Sequence, residues 1–259
     1  MKRFNHISLT WVLCVLMAVF SVTGCSSHRA VPETGTSLNP VERPVEEFVK
    51  PDREYPIKEV YDPWEGFNRA MYTFNAGFDK YVFLPALSVY KFILPDPLET
   101  CVSNFFNNID EAFTFVNSLL QLKGEKAAVT FGRFALNSSV GVLGLFDVAS
   151  HEGLFRQNED LGQTLGFYGV GQGPYIVLPF LGPSNLRDTT GTVTEAVAFA
   201  LIDPFNFDQN EEYLFPYSVL QALDTRNQMD FRYYMTSSPF EYETIRLLYD
   251  KARKLQIDK

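Results

Sequence analysis

Residues 62–81 read DPWEGFNRAMYTFNAGFDKY, and this stretch decides the fold class. Asp62 offers a side-chain acceptor at an N-cap, Pro63 suits the first helical position, and Glu65 falls at the third. Trp64, Phe67, Met71, Phe74, Phe78 and Tyr81 then recur at three- and four-residue spacing, which makes one stripe of an α-helix. Pro85 should end that helix. The same opening returns at Asp96-Pro97-Leu98-Glu99 and at Ser238-Pro239-Phe240-Glu241. Each copy satisfies orphan N–H groups and opposes the helix dipole.

Working outward, periodicity predicts further helices over 97–108, 111–123, 125–137, 192–202, 212–228 and 239–254. In 111–123, Phe113, Val116 and Leu120 share one side while Phe115 and Leu119 take another. Apolar residues around most of a helix mean cover on several sides, by protein or by lipid. Gly124 suits a C-cap. Strand evidence is confined to Tyr175-Ile176-Val177-Leu178, which is short and flanked by prolines. The expected class is all-α.

The longest uncharged run, Leu161 to Leu186, holds six glycines and three prolines. Backbone exposed to lipid must hydrogen-bond to itself, and this run cannot do so as one continuous helix. It must sit within protein, line a wet cavity or lie at an interface. The segment 127–149 is apolar but broken by Arg133 and Asp147, so no uninterrupted membrane-crossing helix is expected.

The chain has 259 residues, of which 46% are hydrophobic and 39 aromatic, 24 of them phenylalanine. That is too apolar for disorder and long enough to fold without disulfide staples, as one domain or two. The phenylalanine excess calls for a large aromatic core or a surface that meets something other than water. Lys+Arg 22 against Asp+Glu 31 gives a net charge of −9. Loss of Lys2 and Arg3 with a leader would give 20 − 31 = −11. An acidic chain without a basic stripe is a poor ligand for nucleic acid or anionic membranes, so any lipid contact must be apolar or covalent.

Residues 1–24 read as a signal peptide. Lys2 and Arg3 form the positive region and Ile7 to Phe20 an apolar stretch too short to span a bilayer comfortably. Val22-Thr23-Gly24-Cys25 then resembles a lipobox, which would leave Cys25 as a lipidated N-terminus. Ser26 at the next position favours the outer membrane by analogy with enterobacterial sorting. Residues 25–61 carry five prolines beyond the cysteine and read as a disordered tether with a span of roughly 30–35 Å. Residues 62–235 form the helical body and 236–259 a C-terminal amphipathic helix. With Cys14 in the leader and Cys25 lipidated, Cys101 has no disulfide partner and reads as a small buried residue.

Catalytic signatures are missing from the sequence: there is no G-x-S-x-G, H-E-x-x-H or Walker A loop, and no metal-ligand cluster. No cofactor or metal is therefore expected. Gly169-Val170-Gly171-Gln172-Gly173 runs into Pro174, so it reads as a tight turn rather than a phosphate cradle. Asp147, Ser150 and His151 are too close in sequence for a nucleophile triad and read as surface polar residues. The adjacent acids Asp110/Glu111 and Glu159/Asp160 read as caps or solvated charges.

Residues 62–72, DPWEGFNRAMY, resemble a block of the MlaA/VacJ outer-membrane lipoproteins. A second block, Gly162 to Phe180 followed by Gly182-Pro183-Ser184 and Arg187-Asp188, is similar to the same family over a longer stretch. Phe131-x-Arg133-Phe134-x-x-Asn137 and Phe146-Asp147-Val148-Ala149 fall between them in the family's order. The resemblance implies a ring-like helical body in the periplasmic leaflet of the outer membrane. Its polar channel would remove mislocalised phospholipids from the outer leaflet and pass them to a soluble periplasmic carrier of the MlaC type. Trimeric porins of the OmpC/OmpF type would hold the ring, and no covalent chemistry would be done. Thr73 departs from the family's block, and little family signal follows Asp203.

On that resemblance the candidate lipid-path residues are Asn68, Arg69, Tyr72, Asn75, Arg133 and Asn137. Gly166, Gly169, Gly171 and Gly173 are hinge or channel-mouth candidates. Arg187 and Asp188 fit better as a fastener than as a lipid contact. A porin-binding scaffold without transport is the rival reading; a lipid hydrolase would need a nucleophile and base that the sequence does not offer.

Overall fold

The computed structural model describes residues 60–235 and 238–259. The leader, Cys25 and the tether through residue 59 lie outside the described residues. The chain runs α1 (Glu65–Phe78), a π-helical turn (Asp79–Phe83), α2 (Leu84–Ile93), α3 (Asp96–Leu120), α4 (Gly124–Ser139) and α5 (Val148–His151). It continues with α6 (Leu161–Phe167), β1 (Tyr175–Leu178), β2 (Gly182–Asn185), α7 (Leu186–Ile202), α8 (Glu211–Asn227) and α9 (Glu241–Asp258). The class is all-α. The two short strands pair antiparallel, Tyr175 facing Asn185 and Leu178 facing Gly182.

Local chemistry explains where the structure departs from the sequence reading. The helices expected over 97–108 and 111–123 are one element, α3. Ile109-Asp110 holds neither glycine nor proline, and Asn108 and Glu111 on either side are both buried, so nothing stops the helix. Pro85 does not end the first helix. The Leu84 N–H reaches back five residues to the Asp79 carbonyl, and this wider turn carries the chain past the proline into α2. Gly124 is not a C-cap: α3 ends at Leu120, Leu122 takes a φ of 57°, and Gly124 opens α4. Asp62 is not the N-cap of α1 either. Its carboxylate instead accepts from Asn68 Nδ2 at 2.8 Å, Tyr242 Oη at 2.5 Å and Arg246 Nη1 at 2.7 Å. Arg246 is buried, and a buried cation needs its carboxylate more than a helix end needs a cap.

The main apolar cluster is small and rich in tyrosine: Val60, Tyr72, Tyr175, Val177 and Tyr242. The folded body thus takes up the chain at Val60, within the expected tether, and α9 supplies Tyr242 to the core.

Elsewhere the usual distribution is reversed. On α1, Asn68, Tyr72, Asn75 and Ala76 are buried while Trp64, Phe67 and Phe74 are exposed. On α3, Glu111, Thr114, Asn117 and Ser118 are buried while Val116, Leu119 and Leu120 are exposed. Among the described residues 25 polar or charged side chains are buried against 11 apolar ones, and 41 large apolar side chains are exposed. Such an excess of exposed apolar surface marks a contact with something other than water. No helix among the described residues is long and apolar enough to cross a membrane.

Candidate functional site

The polar interior divides into three places, each built by particular elements. The first lies between α1 and β1. Asn68 Nδ2 donates to the Tyr175 carbonyl at 3.1 Å, and its Oδ1 accepts from the Val177 N–H at 2.8 Å. Two helical turns on, Asn75 Nδ2 donates to the Leu178 carbonyl at 2.9 Å, and its Oδ1 accepts from the Phe180 N–H at 2.8 Å. Seven helical residues rise about 10 Å and three strand residues about the same, so the two asparagines keep step with the strand. They act as a third strand on an edge that would otherwise hold orphan groups. Between them Tyr72 Oη donates to Glu241 Oε1 at 2.7 Å. Arg69 is half-buried; it pairs with Glu65 at 2.7 Å and with buried Glu243.

The second place is a knot around Arg133 on α4. Its Nε donates to Glu111 Oε1 at 2.5 Å, and its two terminal nitrogens reach the Leu154 carbonyl, Ser150 Oγ and Asp147 Oδ2. Asn137, four residues on, donates to Asp147 Oδ1 at 3.0 Å and accepts from the Ala149 N–H at 2.9 Å. Asp147 and Ser150 are therefore not surface residues after a helix, as their sequence suggested; they lock α5 to α4. Burial would raise the Asp147 carboxyl, but hydrogen bonds from Ser150, Asn137 and Arg133 outweigh it and hold it down to about 2.

The third place is a cavity of about 520 Å³ walled by α3, the loop before α6, α6, α7 and α8, with Gln256 of α9 at its edge. Asp110 of α3 pairs with Arg156 at 3.2 Å across its rim. Glu159 is buried and accepts from Lys123 at 3.1 Å and Lys126 at 2.5 Å. Asp160 caps α6 by accepting from the Gln163 N–H at 2.8 Å, and it pairs with Arg253 of α9 at 2.7 Å. The same Arg253 holds Asp188 at 2.8 Å, which makes Asp188 the fastener its position suggested. Among the described residues Glu195 of α7 accepts only from neutral groups, Asn117 Nδ2 at 2.7 Å and the Leu161 N–H at 2.9 Å. Its carboxyl is raised by burial, the two hydrogen bonds oppose the rise, and the charges of Asp160 and Asp110 add to it. A volume of this size suits a small polar group with apolar neighbours.

None of the six lipid-path candidates lines this cavity. Asn75 lines a smaller one of about 210 Å³, among Phe78, Phe83 and Phe180. Of the glycine candidates, Gly169 and Gly173 take φ of 85° and 67°. Gly166 packs against Ile257 and Arg187, and Gly171 does neither. Glu159 and Glu111, expected to be caps or solvated charges, are instead buried, because Lys123 and Lys126 compensate the one and Arg133 the other; nothing in the sequence singled out Gln163 or Glu195 for this cavity. A signal was present in the polar face of α3 at 111, 114 and 118, buried opposite Val116, Leu119 and Leu120, but sequence alone does not say which face of such a helix is inside. Among the described residues no cluster could hold a metal ion.

The family model described as MlaA lipoprotein matches residues 60–256. An uncharacterized protein of Rickettsia bellii is 38% identical over 203 residues, covering 77% of this chain and 78% of its own. The intermembrane phospholipid transport system lipoprotein MlaA of Escherichia coli is 41% identical over 138 residues, covering 52% of this chain and 55% of its own. A solved structure from work on the structural basis for maintenance of bacterial outer membrane lipid asymmetry matches with a TM-score of 0.61 and 30% identity. That match covers 76% of this chain and 98% of the solved one.

Proposed function

The chain belongs to the MlaA lipoprotein family, and from that premise we propose that it is the outer-membrane lipoprotein of a phospholipid transport system. It takes mislocalised phospholipids from the outer leaflet through its polar interior and gives them to a soluble periplasmic carrier of the MlaC type. The body sits ring-like in the periplasmic leaflet, anchored by acyl chains on Cys25 and held by trimeric porins of the OmpC/OmpF type. The reading assigns no covalent step to the protein.

One observation carries this proposal: the inversion of polar and apolar side chains. An exposed apolar surface suits hydrocarbon, and helices too short or too polar to cross suit a single monolayer. A headgroup crossing hydrocarbon alone faces a large desolvation penalty, which the polar cavity between α3, α6, α7 and α8 would relieve. Glu159, Asp160 and Asp110 are already paired with cations, which leaves Glu195 as the wall's one carboxylate without a cation partner among the described residues, so a lipid phosphate is held weakly enough to leave.

Deletion of the gene tests the proposal. Transport predicts phospholipid in the outer leaflet, detected as surface access to added phospholipase and as detergent sensitivity, both reversed by the restored gene. An outer leaflet that stays clean in the deletion strain would leave a porin-binding scaffold in its place.

A further inference from the structure

We infer that the α3–α6–α7–α8 cavity recognises a primary ammonium group, the cation of an ethanolamine headgroup, with Glu195 as its counter-ion. The inference rests on the transport reading and names the lipid class that the cavity prefers.

The charge census of the wall singles out Glu195. Asp110, Glu159 and Asp160 each have a cation within 3.2 Å, whereas among the described residues Glu195 has only Asn117 and a backbone N–H. Both of its hydrogen bonds fall on Oε1. Neighbouring Asp160 and Asp110 make the surroundings more negative, so a cation arriving there relieves repulsion as well as pairing with Glu195.

A second, independent observation concerns donors. Gln163 lines the same cavity and is 2% exposed. Its Nε2 donates to the Asn158 carbonyl at 3.3 Å and to Asp160 Oδ2 at 2.9 Å, which fixes the amide's orientation. Its Oε1 is left buried with no donor among the described residues. A buried acceptor without a partner costs about 1–3 kcal/mol, a cost that a ligand N–H reaching Gln163 Oε1 would relieve. A primary ammonium carries three such donors and a phosphate or glycerol group brings none or only hydroxyls. The rings of Phe113, Phe199 and Tyr217 complete the wall and suit a cation or the first carbons of the lipid.

The experiment uses the full lipidated chain in detergent, incubated with vesicles of equal phosphatidylethanolamine and phosphatidylglycerol, re-isolated, and read by mass spectrometry of the bound lipid. The unaltered protein should be enriched about tenfold in phosphatidylethanolamine, as one charge-assisted hydrogen bond implies. Glu195→Gln should fall to parity, because the amide oxygen still accepts from Asn117 and Leu161 while the charge is gone. Should that variant not fold, N-acetylated phosphatidylethanolamine with the unaltered chain decides: its cation is blocked, and enrichment must vanish. Lipid bound at parity by the unaltered protein, or enrichment that survives either change, overturns the inference and leaves the transport reading standing. Failure to bind either lipid overturns the transport reading itself.

Discussion

Asn68 and Asn75 show how a side chain can be polar, buried and structural at once. Each satisfies one donor and one acceptor of the β1 edge, and neither side chain retains an amide group free for a headgroup. Asn68→Leu therefore leaves a buried N–H and a buried carbonyl unpaired, at about 1–3 kcal/mol each. Thermal unfolding should show that loss, and lipid binding should fall only in proportion to the unfolded fraction. A variant with unchanged melting temperature and abolished lipid binding would instead place Asn68 in the lipid path. Acid stability reads the Arg133 knot in the same way. The Asp147 carboxyl lies below its ordinary value, so its contribution is complete above about pH 4 and is lost as pH falls toward about 2. Asp160 and Asp188 are also held down: burial would raise them, but Arg253 outweighs it, and they add to the same acid limb. Asp147→Asn should flatten part of that limb, measured as melting temperature against pH.

Helix α9 is fastened to the body by cations that point inward. Arg246 meets Asp62, and Arg253 bridges Asp160 of the α6 cap to Asp188 of α7. Removing one partner of a buried pair costs about 3–5 kcal/mol, because the other charge is stranded. Arg253→Met should approach the lower end of that range, since Arg187 still accompanies Asp188 at 2.8 Å, and should open the Leu161–Phe167 segment to proteolysis before the rest. Where α6 and α7 cross, Gly191 faces the backbone of Gly162, and an added Cβ would lie 2.6 Å from the Gly162 nitrogen. Gly191→Ala should cost about 1–3 kcal/mol, with urea unfolding as the measure, because backbone cannot step aside as a side chain can. These elements were legible in unequal measure. The 3.6-residue periodicity placed α4 and α8 nearly to their ends, whereas α7 begins six residues before the expected 192 and α9 runs four residues past the expected 254. The join of α3 and the passage through Pro85 were not legible: one needed an absent breaker to be noticed, the other a π turn that sequence does not announce. The hairpin was half visible, because β1 has strand residues while β2 reads Gly-Pro-Ser-Asn and is held by its partner.

For the molecule as a whole, the sequence revealed that apolar stripes exist but not which way they face. Trp64, Phe67 and Phe74 would line the core of a water-soluble helix; here Asn68, Tyr72 and Asn75 take that place. The inversion recurs on α1 and α3, though not on α2, which buries Leu87 and Tyr90, so it belongs to more than one helix of the body. Its energetic consequence follows from area. Each large apolar side chain moved from water into hydrocarbon or detergent gains on the order of 1.5–3 kcal/mol when fully covered, and 41 such side chains are exposed among the described residues. Even partial cover far exceeds the total stability of an ordinary domain, about 5–15 kcal/mol. On the proposed reading, an acyl anchor at Cys25 would then be an address more than the source of membrane affinity. A Cys25→Ser variant, purified without acyl chains, should still require detergent to remain monodisperse and should still bind vesicles, as followed by sedimentation. If it instead sediments as a monomer in plain buffer and ignores vesicles, the exposed apolar side chains do not face lipid, and the monolayer reading of the fold is lost with them.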